Sequence, residues 1–516
     1  MSEILNESLK KAAKGTALAF VGMFMFMLLE FITRILIARN ATQSEYGTFS
    51  IGFVLLNFFV LLSCLGLQVG ATRYIAYFRG REDYRKVRGI LFSAVQLSFS
   101  ASIVCCVLFL LFADYFALVF HVQESSVLKI FALAVPFSVI IEILASLFLG
   151  FDRVQEKVYF RDILVNVLKV VFIVSALILG YAFLELMYAY VLSTVIASLL
   201  FLVYALKKLP LLRGAGADPM QKELLLFSLP LLIQNALTIL IFQIDTLMLG
   251  YFKTAGIVGL YNAAHPISQL IPLFLFSLVL IYVPLTARLY AQNLIDEMRR
   301  NYAILTKWIN SATFPLFLVI FLFPEAVLNA LFGSSYTQAS VALVLRILAL
   351  GMLFHVLTGP NAVTLIVLGK TKLNLIDNLV GALLNLALNL LLIPPLGMIG
   401  AAIPSAISLI VVNVLKSIQI FMMHEIHPFT ANYVKPLVAS GVLISLFYVL
   451  LKGFFDTTTM SIGLVIAFSC FFLIVQGMSI LITKSIDQED IMLLGELEKM
   501  AGINMDRIKG IVKKFM

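Results

Sequence analysis

The sequence predicts an all-α polytopic membrane protein with about 14 transmembrane helices, arranged as two six-helix lobes in parallel repeat plus a C-terminal helix pair. Three observations carry this prediction. First, 61% of the 516 residues are hydrophobic and only 13% are charged, against roughly 45–50% and ~25% in soluble domains. Mean hydropathy is +1.03, and no soluble fold hides so much apolar surface. Second, fourteen apolar runs approach the ~20 residues a helix needs to cross hydrocarbon. Third, Lys and Arg concentrate in alternate connections between these runs, as topogenic charges do. The same composition excludes a disordered chain, a fibrous repeat and a disulfide-stapled secreted domain.

The runs lie at 16–38, 50–72, 89–113, 130–150, 163–179, 183–205, 225–249, 258–284, 303–323, 339–364, 374–393, 398–421, 433–451 and 460–483. Gly, Pro and charge separate them, and Gly359-Pro360 interrupts the long tenth run. Residues 1–15 form a polar amphipathic segment, Leu5 and Leu9 against Lys10, Lys11 and Lys14, and no signal-peptidase site follows the first run. The first lobe is expected over 16–205, a polar linker over 206–223, the second lobe over 224–421 and the appended pair over 433–483. In 485–516, Ile491, Leu494, Leu497, Ile508, Ile511 and Phe515 among charges read as an interfacial amphipathic tail.

An even span count puts both termini on one side. That side collects 30 of the 37 Lys and Arg residues. Only Arg39, Lys129, Lys253 and Lys452 fall opposite, while Arg34, Lys169 and Arg346 lie inside spans. The expectation is a cell-membrane protein with both termini cytoplasmic, whose net charge of +9 addresses anionic lipid, not nucleic acid. Outward connections reach only about 15–16 residues, too short for a catalytic domain. No G-x-x-x-x-G-K-[ST] occurs, nor a catalytic triad, and His424, Glu425 and His427 in a loop make no metal site. The four cysteines sit in apolar runs without a CxxC pattern. The chain therefore reads as a non-enzyme needing no cofactor or metal, and as a monomer.

A weak internal repeat supports the two lobes. At an offset of 212, Thr42 falls on Thr254, Gly47 on Gly259 and Phe49 on Tyr261. Thr72-Arg73-Tyr74-Ile75-Ala76 meets Ala287-Arg288-Leu289-Tyr290-Ala291 after a three-residue gap, Leu149-Gly150 resembles Leu368-Gly369, and Asp162 falls on Asp377. Six helices per repeat make the repeats parallel, related by an axis along the membrane normal, as in alternating-access transporters.

The stretch Glu30–Ala76, with Tyr46-Gly47 after the first run, Leu65-Gly66-Leu67 closing the second and Arg73-Tyr74 beyond it, resembles the N-terminal signature of polysaccharide-biosynthesis membrane proteins. These belong to the superfamily of multidrug, oligosaccharidyl-lipid and polysaccharide exporters. The resemblance implies a flippase that moves an oligosaccharide linked to polyprenyl phosphate or pyrophosphate from the cytoplasmic to the outer leaflet by alternating access. It implies as partners that lipid-linked oligosaccharide, membrane lipids and glycan-assembly enzymes. A cation-coupled (H⁺ or Na⁺) multidrug exporter of the same superfamily is the alternative; an integral enzyme and a non-transporting scaffold are more distant ones.

Ionisable residues inside spans are candidates for function because their burial is costly. Glu30 and Arg34 share a helix face at i,i+4; they read either as a self-contained pair or as an arginine offered to phosphate, for which its planar fork is suited. Asp245 lies close to the repeat-equivalent position of Arg34, so the two are expected to gate the outer mouth. Lys169, mid-span with Asn166 on its face, reads as a phosphate ligand or as the partner of Glu142. Arg346 is its counterpart in the second lobe, and Asn262, His265 and Gln269 line one face of the eighth run as ligand or packing residues. The cluster Arg73, Arg79, Arg81, Arg85, Lys86 and Arg88 reads as a lipid-facing topogenic loop or as an attractor for an anionic headgroup. Gln234, Asn235, Gln243, Asn378, Asn385 and Asn389 read as helix–helix hydrogen-bonders or sugar ligands.

Overall fold

The computed structural model describes residues 2–209, 218–454, 460–487 and 490. Within them the chain is helical and contains no strand. The first half comprises α1 (Ser2–Arg39), α2 (Gln43–Cys64), α3 (Leu67–Gly80), α4 (Tyr84–Val119), α5 (Ser125–Gly150), α6 (Val154–Glu156), a π-helical stretch (Lys157–Leu164), α7 (Val165–Ile178), α8 (Phe183–Lys208) and α9 (Gln221–Phe252). The second comprises α10 (Ala255–Ser268), α11 (Leu273–Ala291), α12 (Ile295–Leu322), α13 (Pro324–Phe332), α14 (Ala339–Leu357), α15 (Asn361–Val367), α16 (Thr371–Leu396), α17 (Met398–His424), α18 (Ala431–Phe454) and α19 (Ile462–Ile482). Most of the expected tail and part of the 206–223 linker lie outside the described residues.

Among the described residues, eleven helices are long and apolar enough to cross a membrane, or up to 13 if each of two bent pairs is one span. The pairs are Gln221–Leu237 with Ile241–Phe252, and Ala255–Ser268 with Leu273–Val279. The expected run at 163–179 is the one not in this tally. It is the 14-residue α7 continuing the π-helical Lys157–Leu164, where Lys157, Arg161 and Asp162 interrupt the apolar sequence. Outward-facing apolar side chains such as Leu118 (76% exposed) and Ile178 (80%) fit a lipid-facing surface.

The chain divides into two compact units, Met1–Asn262 with Leu390–Met398, and Ala263–Asn389 with Ile399–Met516. In the first, α2 starts at a capping box. Thr42 Oγ1 accepts from the Glu45 N–H at 3.3 Å, and Glu45 Oε2 accepts from the Thr42 N–H at 2.7 Å. Its far end turns through Leu65 and Gly66, both at positive φ, into α3. Phe49 of α2, Phe131 of α5 and Tyr190 of α8 form a buried triangle of rings with centroids 5.7–5.8 Å apart. Phe160 stacks on Phe201 of α8 at 4.5 Å, and Phe201 on Phe148 of α5 at 5.6 Å, fixing the π-helical stretch against the bundle.

In the second unit, Lys307 of α12 is buried. Although it counts with the loop charges in the sequence, its Nζ donates to Asp490 Oδ2 at 2.6 Å, Asp487 Oδ2 at 2.7 Å and the Ser485 carbonyl at 3.2 Å. Trp308 Nε1 donates to Asp490 Oδ1 at 2.9 Å. The segment after α19 is thereby fastened to α12. Lys307→Ala strands two carboxylates, one of them buried. It should lower stability by about 3–5 kcal/mol, read as a fall in Tm, and red-shift the emission of Trp308, the sole tryptophan. An unchanged spectrum and Tm would show the latch to be inconsequential.

Candidate functional site

Five charged side chains meet around a cavity of about 380 Å³ in the first unit: Glu30 and Arg34 from α1, Glu142 from α5, Arg161 from the π-helical stretch and Lys169 from α7. Helical spacing explains the convergence. Glu30 and Arg34 share one face of α1, which packs against both α7 and the π-helical stretch. Arg161, Val165 and Lys169 recur at intervals of four and line the same cavity. Such π-helical turns are frequent at functional sites.

The charges form two linked groups. Glu30 serves two cations, Arg34 Nε at 3.5 Å from Oε1 and Lys169 Nζ at 3.4 Å from Oε2. Lys169 also donates to Tyr190 Oη at 3.0 Å, and the aromatic triangle holds that phenol in place. The Arg34 guanidinium lies 4.5 Å from the Phe53 ring centroid, a cation–π contact worth about 0.5–2 kcal/mol. Arg161 Nε donates to Glu142 Oε1 at 2.8 Å and Nη1 to Asp162 Oδ1 at 3.0 Å. The expected pairing of Lys169 with Glu142 is thus replaced: Glu142 belongs to Arg161, and Lys169 to Glu30. Three cations and two carboxylates line the cavity, and a third carboxylate, the buried Asp162, pairs with Arg161 beside it. Asn166 Oδ1 and Gln243 Oε1, from lining residues, are buried acceptors without a hydrogen-bond partner among the described residues.

The other sequence candidates lie elsewhere. Asp245 is buried and accepts from Tyr261 Oη at 3.0 Å. The Asn262 side chain bonds Thr246 and the Val258 carbonyl, as a packing residue does. In the second unit, Gln269 Nε2 and His265 Nε2 are 3.3 Å apart. Arg346 donates to Glu325 at 3.3 Å and to the Phe321 carbonyl at 3.1 Å, so its charge is answered within that unit. Of the basic cluster, Arg79 pairs with Asp152, and Arg85 lies 4.0 Å from Asp218. Arg73 stacks over Phe227 and Arg81 over Tyr77, each at 4.4 Å. Asn389 donates to Asn385 Oδ1 at 2.8 Å, and Asn378 accepts from Lys416 at 2.7 Å.

Sequence reasoning missed Arg161 and Tyr190. Arg161 counts with the loop charges, although its spacing of eight from Lys169 is the signal that places both on one helix face. A tyrosine in an apolar span carries no comparable signal.

Because Glu30 joins two cations, its contribution should be non-additive with theirs. In thermal unfolding of Glu30→Gln, Lys169→Met and the double variant, the double should be less destabilised than the sum of the singles by about 1–3 kcal/mol. Strict additivity would mean the pair is energetically uncoupled.

The profile of the polysaccharide biosynthesis protein family matches residues 12–290, and that of the MatE family residues 230–391. The uncharacterized membrane protein MJ1068 of Methanocaldococcus jannaschii is 24% identical over 424 residues, covering 76% of this chain and 81% of that protein. The probable low-salt glycan biosynthesis flippase Agl15 of Haloferax volcanii is 27% identical over 180 residues, 34% of this chain and 36% of that protein. Among solved structures, the lipid II flippase MurJ in an inward closed conformation superposes with a TM-score of 0.70 at 13% identity, covering 92% of this chain and 100% of that one.

Proposed function

The chain belongs to the polysaccharide biosynthesis protein family, and from that premise we propose that it is a flippase carrying a lipid-linked oligosaccharide, on a polyprenyl phosphate or pyrophosphate carrier, across the membrane by alternating access. The observation that carries this reading is the convergence of three cationic side chains, Arg34, Arg161 and Lys169, on one buried cavity. An acidic phosphate headgroup replaces the carboxylates as partner to these cations. The guanidinium forks of Arg34 and Arg161 give it paired donors, and Lys169 adds a mobile one. The amide oxygens of Asn166 and Gln243 accept from hydroxyl groups on the attached sugar. The polyprenyl tail stays in lipid throughout. The basic residues Arg73, Arg79, Arg81 and Arg85 raise the local concentration of the anionic headgroup at the cytoplasmic face.

A glycan flippase among the relatives supports this reading. The MatE match over residues 230–391 favours a second one, a cation-coupled drug exporter. Arg34, Arg161 and Lys169 at the lining argue against it, since they would meet a cationic drug with like charge. Efflux of a cationic dye from cells discriminates the two.

In proteoliposomes with a fluorescent lipid-linked oligosaccharide, wild type should move the headgroup out of reach of an enzyme on the loading side. Arg161→Ala and Lys169→Ala should each slow this by about tenfold or more, the effect of one lost charge-assisted hydrogen bond of ~1.5–3 kcal/mol. Wild-type rates in both folded variants would overturn the assignment of the cavity.

A further inference from the structure

The cavity-lining stretch of α2, which includes Phe53 and Asn57, is bounded by glycines that touch another helix through bare backbone. At the α2 N-terminus the contact is reciprocal. A Cβ on Gly47 would overlap the Ala255 carbonyl oxygen and lie 2.9 Å from the Gly259 nitrogen. A Cβ on Gly259 would overlap the Gln43 carbonyl oxygen and lie 3.0 Å from the Gly47 nitrogen. Gln43 and Ala255, like Gly47 and Gly259, are 212 residues apart, the offset of the internal repeat. The first turns of two repeat-equivalent helices, α2 and α10, therefore meet about a local two-fold relation, a geometry that glycine alone permits on both sides. Tyr46 Oη donates to the Asn262 carbonyl across the same contact at 3.2 Å. At the other end of α2, Gly66 has φ +72, and a Cβ there would lie 2.8 Å from the Leu232 nitrogen of α9; one on Gly70 would overlap Ser228 Oγ.

We propose that the Gly47–Gly259 contact is the outer seal of the cavity, a backbone-to-backbone closure that separates when the site opens outward, and that the Gly66–Gly70 contact with α9 closes the opposite end. This rests on alternating access and on the orientation set by the topogenic charges. The chemistry suits a reversible seal. Two helix N-termini brought together oppose like dipole ends, which favours parting. The closure brings backbone against backbone in van der Waals contact, with the Tyr46 hydroxyl bonded to the Asn262 carbonyl across it. The capping box at Thr42 and Glu45 keeps the first turn of α2 intact when the partner leaves.

The test is accessibility from outside, which needs no substrate and so stands apart from the identity of the cargo. Asn57→Cys is placed in a chain whose four native cysteines are replaced, and a membrane-impermeant methanethiosulfonate is added to the outer face of intact cells. Gly47→Ala and Gly259→Ala should label about tenfold faster than the parent, through a shift toward the outward-open state. Tyr46→Phe adds no volume, so it keeps the test open if a glycine variant does not fold; the loss of its hydrogen bond should speed labelling about threefold. Gly477→Ala, where a Cβ meets nothing within 4 Å, should label at the parental rate, and Gly70→Ala should not exceed it. Parental or slower labelling in the folded Gly47, Gly259 and Tyr46 variants, or an equal rise in Gly70→Ala, would overturn the proposal.

Discussion

A charge in the apolar interior of a helical bundle must be answered by another, and Glu30 answers two. Its carboxylate is the joint between α1 and α7, holding Arg34 on its own helix and Lys169 on the neighbour. Without it, two cations would face a medium that solvates neither. Every other feature of the cavity sits around this joint. Tyr190 takes a second bond from Lys169, and the Phe49–Phe131–Tyr190 triangle couples that bond to the packing of α2, α5 and α8. Arg161 and Glu142 form a parallel pair that fastens the π-helical stretch to α5.

The arrangement also explains how three cations can be held side by side in a buried cavity. Arg34 and Lys169 share Glu30, and Arg161 pairs with both Glu142 and Asp162. An anionic ligand meets side chains already held in place by their mutual bonds, so little ordering is required on binding. The pairing distances near 3.4–3.5 Å around Glu30 are longer than a charge-assisted bond at its optimum, so this carboxylate is the looser of the two acid partners at the lining, Glu142 being held at 2.8 Å by Arg161.

Much of this was legible in the residues. Arg34, Lys169, Glu30 and Glu142 stand out because each interrupts an apolar run, and all four line one cavity. Which acid meets which base was not legible, because that depends on the rotation of α1 against α7 and of α5 against the π-helical stretch. Arg161 was hidden by its neighbours: Lys157, Arg161 and Asp162 together look like a solvated flank, and only the widened turn carries them into the bundle. The same interruption shortens α7 and accounts for the difference between the expected span at 163–179 and the helix observed. The repeat placed Gly47 opposite Gly259 in register; that their backbones touch follows from the packing of α2 on α10, which no spacing encodes.

The most direct measurement is equilibrium binding of a short-chain polyprenyl pyrophosphate to the purified protein, by native mass spectrometry or calorimetry. The comparison is between wild type and the charge-neutral triple variant Arg34→Gln, Arg161→Gln, Lys169→Gln. Saturable, salt-sensitive binding to wild type and at least about a hundredfold weaker binding to the triple variant is the result expected of a cationic headgroup site. Equal affinity in the two folded proteins would contradict it.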